Sequence, residues 1–140
     1  MKKTNNKGFS LVELIIVIAI MAILIGVLAP QYIKYVEKSR VSADTDVLDS
    51  VYSAVNTAAS DPDVDANDIP TSSFTEIGTD TFGTAVQDIL GTNIAGCADK
   101  LKSKSSDGTI TVDVDANGNF SVTSGDITVP SVKAASGSGN

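Results

Sequence analysis

The residues from Phe9 to Ala29, FSLVELIIVIAIMAILIGVLA, form an apolar stretch in which only Ser10 and Glu13 are polar. As a helix these 21 residues extend about 31 Å at ~1.5 Å per residue, close to the roughly 30 Å hydrocarbon core of a bilayer. Only a helix satisfies its own backbone in lipid, so the stretch reads first as a membrane-spanning helix. Two rivals fit less well. A cleaved secretory signal has an apolar part of roughly 7–15 residues before a small-residue site; here the stretch is longer, and Pro30 directly follows the weak site at Val27-Leu28-Ala29. A buried core helix needs a domain large enough to wrap an all-apolar cylinder, and the remaining chain, rich in Thr, Ser, Asp and Gly, is too small for that.

Charge separates the 140-residue chain into segments. Lys2, Lys3 and Lys7 precede the apolar stretch, and Lys34, Glu37, Lys38 and Arg40 follow it. From residue 41 onward fifteen acids face only Lys100, Lys102, Lys104 and Lys133, a net −11. Such a surface repels polyanions, so no nucleic-acid partner is expected. The absence of His removes His-based triads and His zinc sites. The single Cys97 excludes an intramolecular disulfide and reads as a small buried hydrophobe.

Glu13 is the anomaly of the apolar stretch. A carboxylate there costs on the order of 2.5–3.5 kcal/mol on insertion scales, so an intramembrane acid is expected to have a partner or a task. The run Lys7-Gly8-Phe9-Ser10-Leu11-Val12-Glu13-Leu14, followed by IIVIAIMAIL, resembles the class III signal of type IV pilins and related pseudopilins. The resemblance covers roughly the first 40 residues, with matches at Gly8, Phe9, Glu13 and Pro30; Ala22 stands where many relatives carry Gly. It implies cleavage by a prepilin peptidase between Gly8 and Phe9, N-methylation of Phe9, and pairing of Glu13 with the amino group of Phe9 on a neighbouring subunit. It also implies a single-pass precursor in the cytoplasmic membrane with its N-terminus in the cytoplasm, and an assembled pilus at the cell surface. The partners implied are further copies of the chain, the peptidase, the assembly platform and motor, and the bilayer before assembly. Three cations on either side leave orientation undecided by charge, so the N-in topology rests on the resemblance.

Beyond the span, Gln31–Ala59 contains neither Gly nor Pro. Ile33, Val36, Arg40, Val47, Leu48, Val51, Val55 and Ala58 recur at mostly helical spacing, which predicts an amphipathic continuation. Asp61-Pro62 should end it. Pro30, acting on the carbonyl of Gly26, predicts a kink or an opened turn. Residues 60–81 read as an acidic loop with a short strand near Phe74–Ile77, and Phe82–Leu90 as a helix with Val86, Ile89 and Leu90 on one side and Gly91 as its stop. Alternation at Ile110, Val112 and Val114, a turn at Ala116–Asn119, alternation back through Phe120 and Val122, and a third segment at Ile127–Val129 predict antiparallel strands.

The expected class is therefore α+β: a long N-terminal helix, kinked near Pro30, with its distal half packed on a small antiparallel sheet, the pilin fold. The expected divisions are 1–8 leader, 9–29 transmembrane or filament-core helix, 30–60 amphipathic continuation, 61–133 head and 134–140 tail. Asp113, Asp115, Asn117 and Gly118 match the opening of a calcium loop, but its twelfth position is Ser124 where a bidentate Glu is needed, so a hairpin turn is the preferred reading. No nucleophile–base pair, metal set or phosphate loop is evident, so neither catalysis nor a cofactor is expected. The function expected is the structural subunit of a type IV pilus, serving adhesion, aggregation or motility. The alternatives are a pseudopilin of a type II secretion system, a competence-type pilin, or a single-pass surface domain that never polymerises.

Overall fold

A computed structural model describes residues 8–130. Residues 1–7, most of the expected leader 1–8, and residues 131–140, which include Lys133 and the expected tail, lie outside the described residues. The first element, α1, runs from Leu11 to Ala59 and contains Pro30. Helical backbone continues on both sides of that proline. Contacts divide the chain between Val36 and Glu37, and each part is considered by itself.

In the first part, the apolar side chains of α1 have no cover: every large hydrophobic residue from Leu11 to Leu28 is at least half exposed. In the second part, from Glu37 onward, α1 buries Asp44, Leu48, Val51, Ala54, Val55 and Ala58, with Val41 and Val47 partly covered. This face repeats every three or four residues, as an amphipathic helix requires. It differs from the sequence expectation at its N-terminal end. Ile33 is 63% exposed and Arg40 is in solvent, whereas Asp44 is fully buried. The helix closes where expected, with the Ser60 amide donating to the Asn56 and Thr57 carbonyls just before Asp61-Pro62.

Two short helices follow. Helix α2, Thr81–Leu90, starts at Asp80, whose carboxylate accepts the Gly83 amide at 2.6 Å. It stops at Gly91, whose left-handed φ of 69° lets its amide reach the Gln87 carbonyl. Its buried side chains are Phe82 and Val86, with Leu90 partly covered, while Ile89 is 48% exposed, contrary to the side assigned from sequence. Helix α3, Ile94–Ala98, is capped by Asn93 and buries Ile94 and Cys97.

The strands β1 (Thr111–Val114), β2 (Phe120–Ser124) and β3 (Ile127–Val129) form one antiparallel sheet in the order β1-β2-β3. Val112 pairs with Val122 and Val122 with Val129, which lines valines across the buried face. The strand expected near Phe74–Ile77 is reduced to one bridge, in which Phe74 and Val112 exchange both backbone hydrogen bonds, at 2.9 and 2.8 Å. Phe82 joins the layers, edge-on to Phe74 and stacked on Phe120, each at 6.2 Å between ring centres. The buried residues of α1, α2, α3 and the sheet make a single hydrophobic cluster. This is an α+β arrangement consistent with the pilin fold.

A polar clasp joins α1 to the segment between α3 and β1. Asp44 accepts the amides of Lys102 and Ser103 at 2.8 Å each and the Ser103 hydroxyl at 2.5 Å. About two turns earlier Glu37 accepts the Lys104 amide at 2.5 Å. The same segment meets the β2–β3 turn, where the Asp126 amide donates to the Ser105 carbonyl and any Cβ at Gly125 would fall 2.2 Å from that oxygen. Burial pushes the Asp44 carboxyl upward. The Ser103 hydroxyl, the Lys102 and Ser103 amides and the Ser106 hydroxyl outweigh it and hold the group below its ordinary value of 3.8.

Because the folded-state pKa is depressed, this contribution is present above the unfolded-state value and is lost as pH falls through the folded one. Asp44→Asn should destabilise the folded chain at neutral pH by about 2–4 kcal/mol, because it removes the charge that buried amides and a hydroxyl are aimed at. The gap in melting temperature between wild type and variant, followed in detergent, should narrow as pH is lowered from 6 towards 3; a gap independent of pH would show that the charge is not what the clasp uses.

Candidate functional site: the capped start of the apolar helix

Gly8, Phe9 and Ser10 precede α1 and are all exposed. Phe9 is 92% exposed, and a Cβ built at Gly8 would meet nothing within 4 Å. The Gly8–Phe9 bond is thus open to another molecule on both sides.

Ser10 stands at the N-cap position and Glu13 at the third helical position. The Ser10 amide donates to Glu13 Oε2 at 2.9 Å, and the Glu13 amide donates to Ser10 Oγ at 3.2 Å. This is a reciprocal capping box, which satisfies two of the amides that a helix start leaves without partners. The first helical bond, from the Leu14 amide to the Ser10 carbonyl, follows at 3.2 Å. A carboxylate here also meets the positive end of the helix dipole. Glu13 is therefore partnered inside its own chain before any second subunit arrives. Sequence reasoning missed Ser10, although the pattern Ser-x-x-Glu ahead of an apolar run announces the box. Among the described residues no hydrogen bond joins Glu13 to Phe9.

The other singled-out residues lie apart from this cap. Gly26 and Pro30 sit within α1, and the space where a Gly26 side chain would stand is open. Asp113, Asp115 and Asn117 belong to the β1–β2 hairpin. Asp113 accepts from the Ser73 hydroxyl at 2.8 Å. Asp115 Oδ1 accepts the Asn117 and Asn119 amides, and Oδ2 accepts the Asn119 side chain. Asn119 is the main reason that the Asp115 carboxyl is held below the ordinary range. These oxygens brace a turn whose Gly118 has φ of 80°. The similar stretch at Asp65–Asp68 does the same for α2: Asp68 accepts the Thr81 hydroxyl and amide, which lower its pKa. Among the described residues no group of three or more His, Cys, Asp or Glu side chains is arranged to hold a metal ion. Burial pushes the Cys97 thiol up, with the nearby Lys100 charge opposing, so the group is a poor nucleophile.

The capping box has a measurable consequence. Ser10→Ala should weaken the first turn of α1 by about 1 kcal/mol and speed exchange of the Glu13 amide about fivefold in micelles, read by NMR; Ser10→Thr should keep the protection. Unchanged exchange in the alanine variant would mean that the box does not form.

Comparison with known proteins matches this same region. The family model for the prokaryotic N-terminal methylation motif matches residues 3–29. Two type IV major fimbrial proteins FimA of Dichelobacter nodosus are each 39% identical over 59 residues, covering 42% of this chain and 38% of the relative. A third FimA of the same organism matches at 39% with 37% of its length covered. The aligned part is thus well under half the length of these relatives. No solved structure matches the chain. The methylation motif thus lies over the exposed Gly8–Phe9 bond, the Ser10–Glu13 cap and the uncovered helix, and it is this N-terminal segment that is similar to the type IV fimbrial proteins.

Proposed function

We propose that the chain is the structural subunit of a type IV pilus, made as a membrane precursor and polymerised into a surface filament, with a mechanical role and no catalytic one. The observation that carries this reading is the bare apolar half of α1. Its hydrophobic side chains are half or more exposed in the single chain, a state that water does not tolerate over so large a surface. Lipid before assembly and copies of the same helix afterwards are the two environments that cover it. Repetition of one non-self-complementary contact generates an open helical fibre.

On this reading a prepilin peptidase cuts between Gly8 and Phe9, removing Lys2, Lys3 and Lys7 with the leader. The new amino group at Phe9 is methylated and meets Glu13 of a neighbouring subunit. Glu13 Oε2 already holds the Ser10 amide, and among the described residues no hydrogen bond engages Oε1, which is the oxygen left for that ammonium. The bend expected from Gly26 and Pro30 falls within the packed helices.

Mass spectrometry of surface material from the native host should find methyl-Phe9 as the first residue; an intact Met1 would point to a plain anchor. Glu13→Ala should be cleaved and remain in the membrane while sheared filaments disappear from electron micrographs. Ser10→Ala keeps the carboxylate and should keep filaments. Normal filament yield from Glu13→Ala would refute the pairing.

A further inference from the structure

We propose that Lys38, Arg40, Lys102 and Lys104 form a basic collar that docks the unassembled subunit on anionic lipid headgroups. The inference rests on the membrane-precursor reading and goes beyond it, since neither the N-terminal motif nor the relatives say anything of these cations.

Past Arg40, the only cations among the described residues are Lys100, Lys102 and Lys104, all in the short segment between α3 and β1. The fold returns two of them to the first turns of α1 in the head. Lys104 is tied through its amide to Glu37, and Lys102 through its amide to Asp44. Both side chains, with Lys38 and Arg40, remain exposed. Glu37 and Asp44, the carboxylates of the clasp, accept backbone amides and offset part of this charge, leaving four cations against two acids. Glu37 also lies 4.0 Å from Arg40; among the described residues no carboxylate comes that close to the ammonium of Lys38, Lys102 or Lys104. An acidic chain thus keeps four exposed cations beside the clasp, of which Arg40 alone has a carboxylate within 4.0 Å among the described residues.

Position selects the occupant. Glu37 follows Ala29 by eight residues, about 12 Å of helix. A bilayer carries several ångströms of headgroup beyond its hydrocarbon edge, and charge is felt over a further ~8–10 Å at physiological salt. Cations tethered there lie within reach of an anionic surface, as in juxtamembrane basic segments. The acids of the rest of the head are repelled by the same surface, so the sign difference also sets which side faces it. A second copy of the chain, offering the acidic loop 61–68, is the competing occupant, and nothing tethers that loop beside the collar as the span tethers lipid.

The full-length chain is reconstituted in vesicles of phosphatidylcholine alone or with about 30% phosphatidylglycerol, an anionic content chosen to give a negative surface. Lysine acetylation is then followed by mass spectrometry. Lys102 and Lys104 should react at least about threefold more slowly in the anionic vesicles, with the protection lost near ~0.5 M salt. A Lys102→Gln/Lys104→Gln variant retains the clasp, which uses backbone amides, and should lose most of the protection at Lys38. Equal labelling of an inserted chain in both vesicles overturns the collar alone. Protection in neutral vesicles that grows with protein density assigns the patch to a second copy and overturns it too. A chain that inserts in neither vesicle overturns the membrane reading and the collar together.

Discussion

Among the described residues nothing covers the apolar side chains of α1 from Leu11 to Leu28, and that exposed surface is the constraint everything else must meet. A helix with hydrophobic side chains on all sides is stable only where water is excluded. The chain lacks the residues to exclude it. What the chain does supply is an orderly beginning to that helix. Ser10 and Glu13 close its first turn on each other, so the one charge in the apolar run is partnered and does not stand as an isolated cost. The cap also leaves Gly8 and Phe9 outside the helix and exposed.

The head solves a different problem. It must keep a small sheet on the later turns of α1 with only one cysteine in the chain. Apolar packing through Leu48, Val51, Val55, Phe82 and the valine row of the sheet supplies most of the cover. The clasp at Asp44 supplies direction, since a buried carboxylate satisfied by two amides and a hydroxyl accepts only one placement of the chain that donates them. The other acids of the head act locally in the same manner, capping α2, bracing the β1–β2 turn and tying the acidic loop to Thr81. The acidity of this domain is therefore in large part a hydrogen-bonding device for Gly-, Ser- and Thr-rich loops, and need not signal a bound cation.

Several elements were readable without coordinates because their signals are local. Twenty-one successive residues of near-uniform hydropathy, Gly91 after a helical pattern, and alternating valines around Asn117-Gly118 each specify backbone geometry through near neighbours. The errors fall where distant residues decide. Nothing along the sequence marks Asp44 for burial, because its donors lie 58 and 59 positions away. Spacing sets Ile33 and Arg40 on the apolar stripe, yet Ile33 is 63% exposed and Arg40 lies in solvent. Ile89 is apolar but stands outside the side that Phe82 and Val86 define. Ser10 was legible and was overlooked beside the more conspicuous Glu13.

The sequence alone determined the membrane-length helix, the break before Pro62 and the antiparallel strands, since each depends on periodicity, length or a single special residue. Tertiary structure alone decided which acid is buried, which loop closes on α1, and where three lysines distant in sequence from Lys38 and Arg40 are set. Those outcomes depend on hydrogen-bond partners and charges brought together by folding, and no pattern along the chain encodes a pairing between residues so far apart.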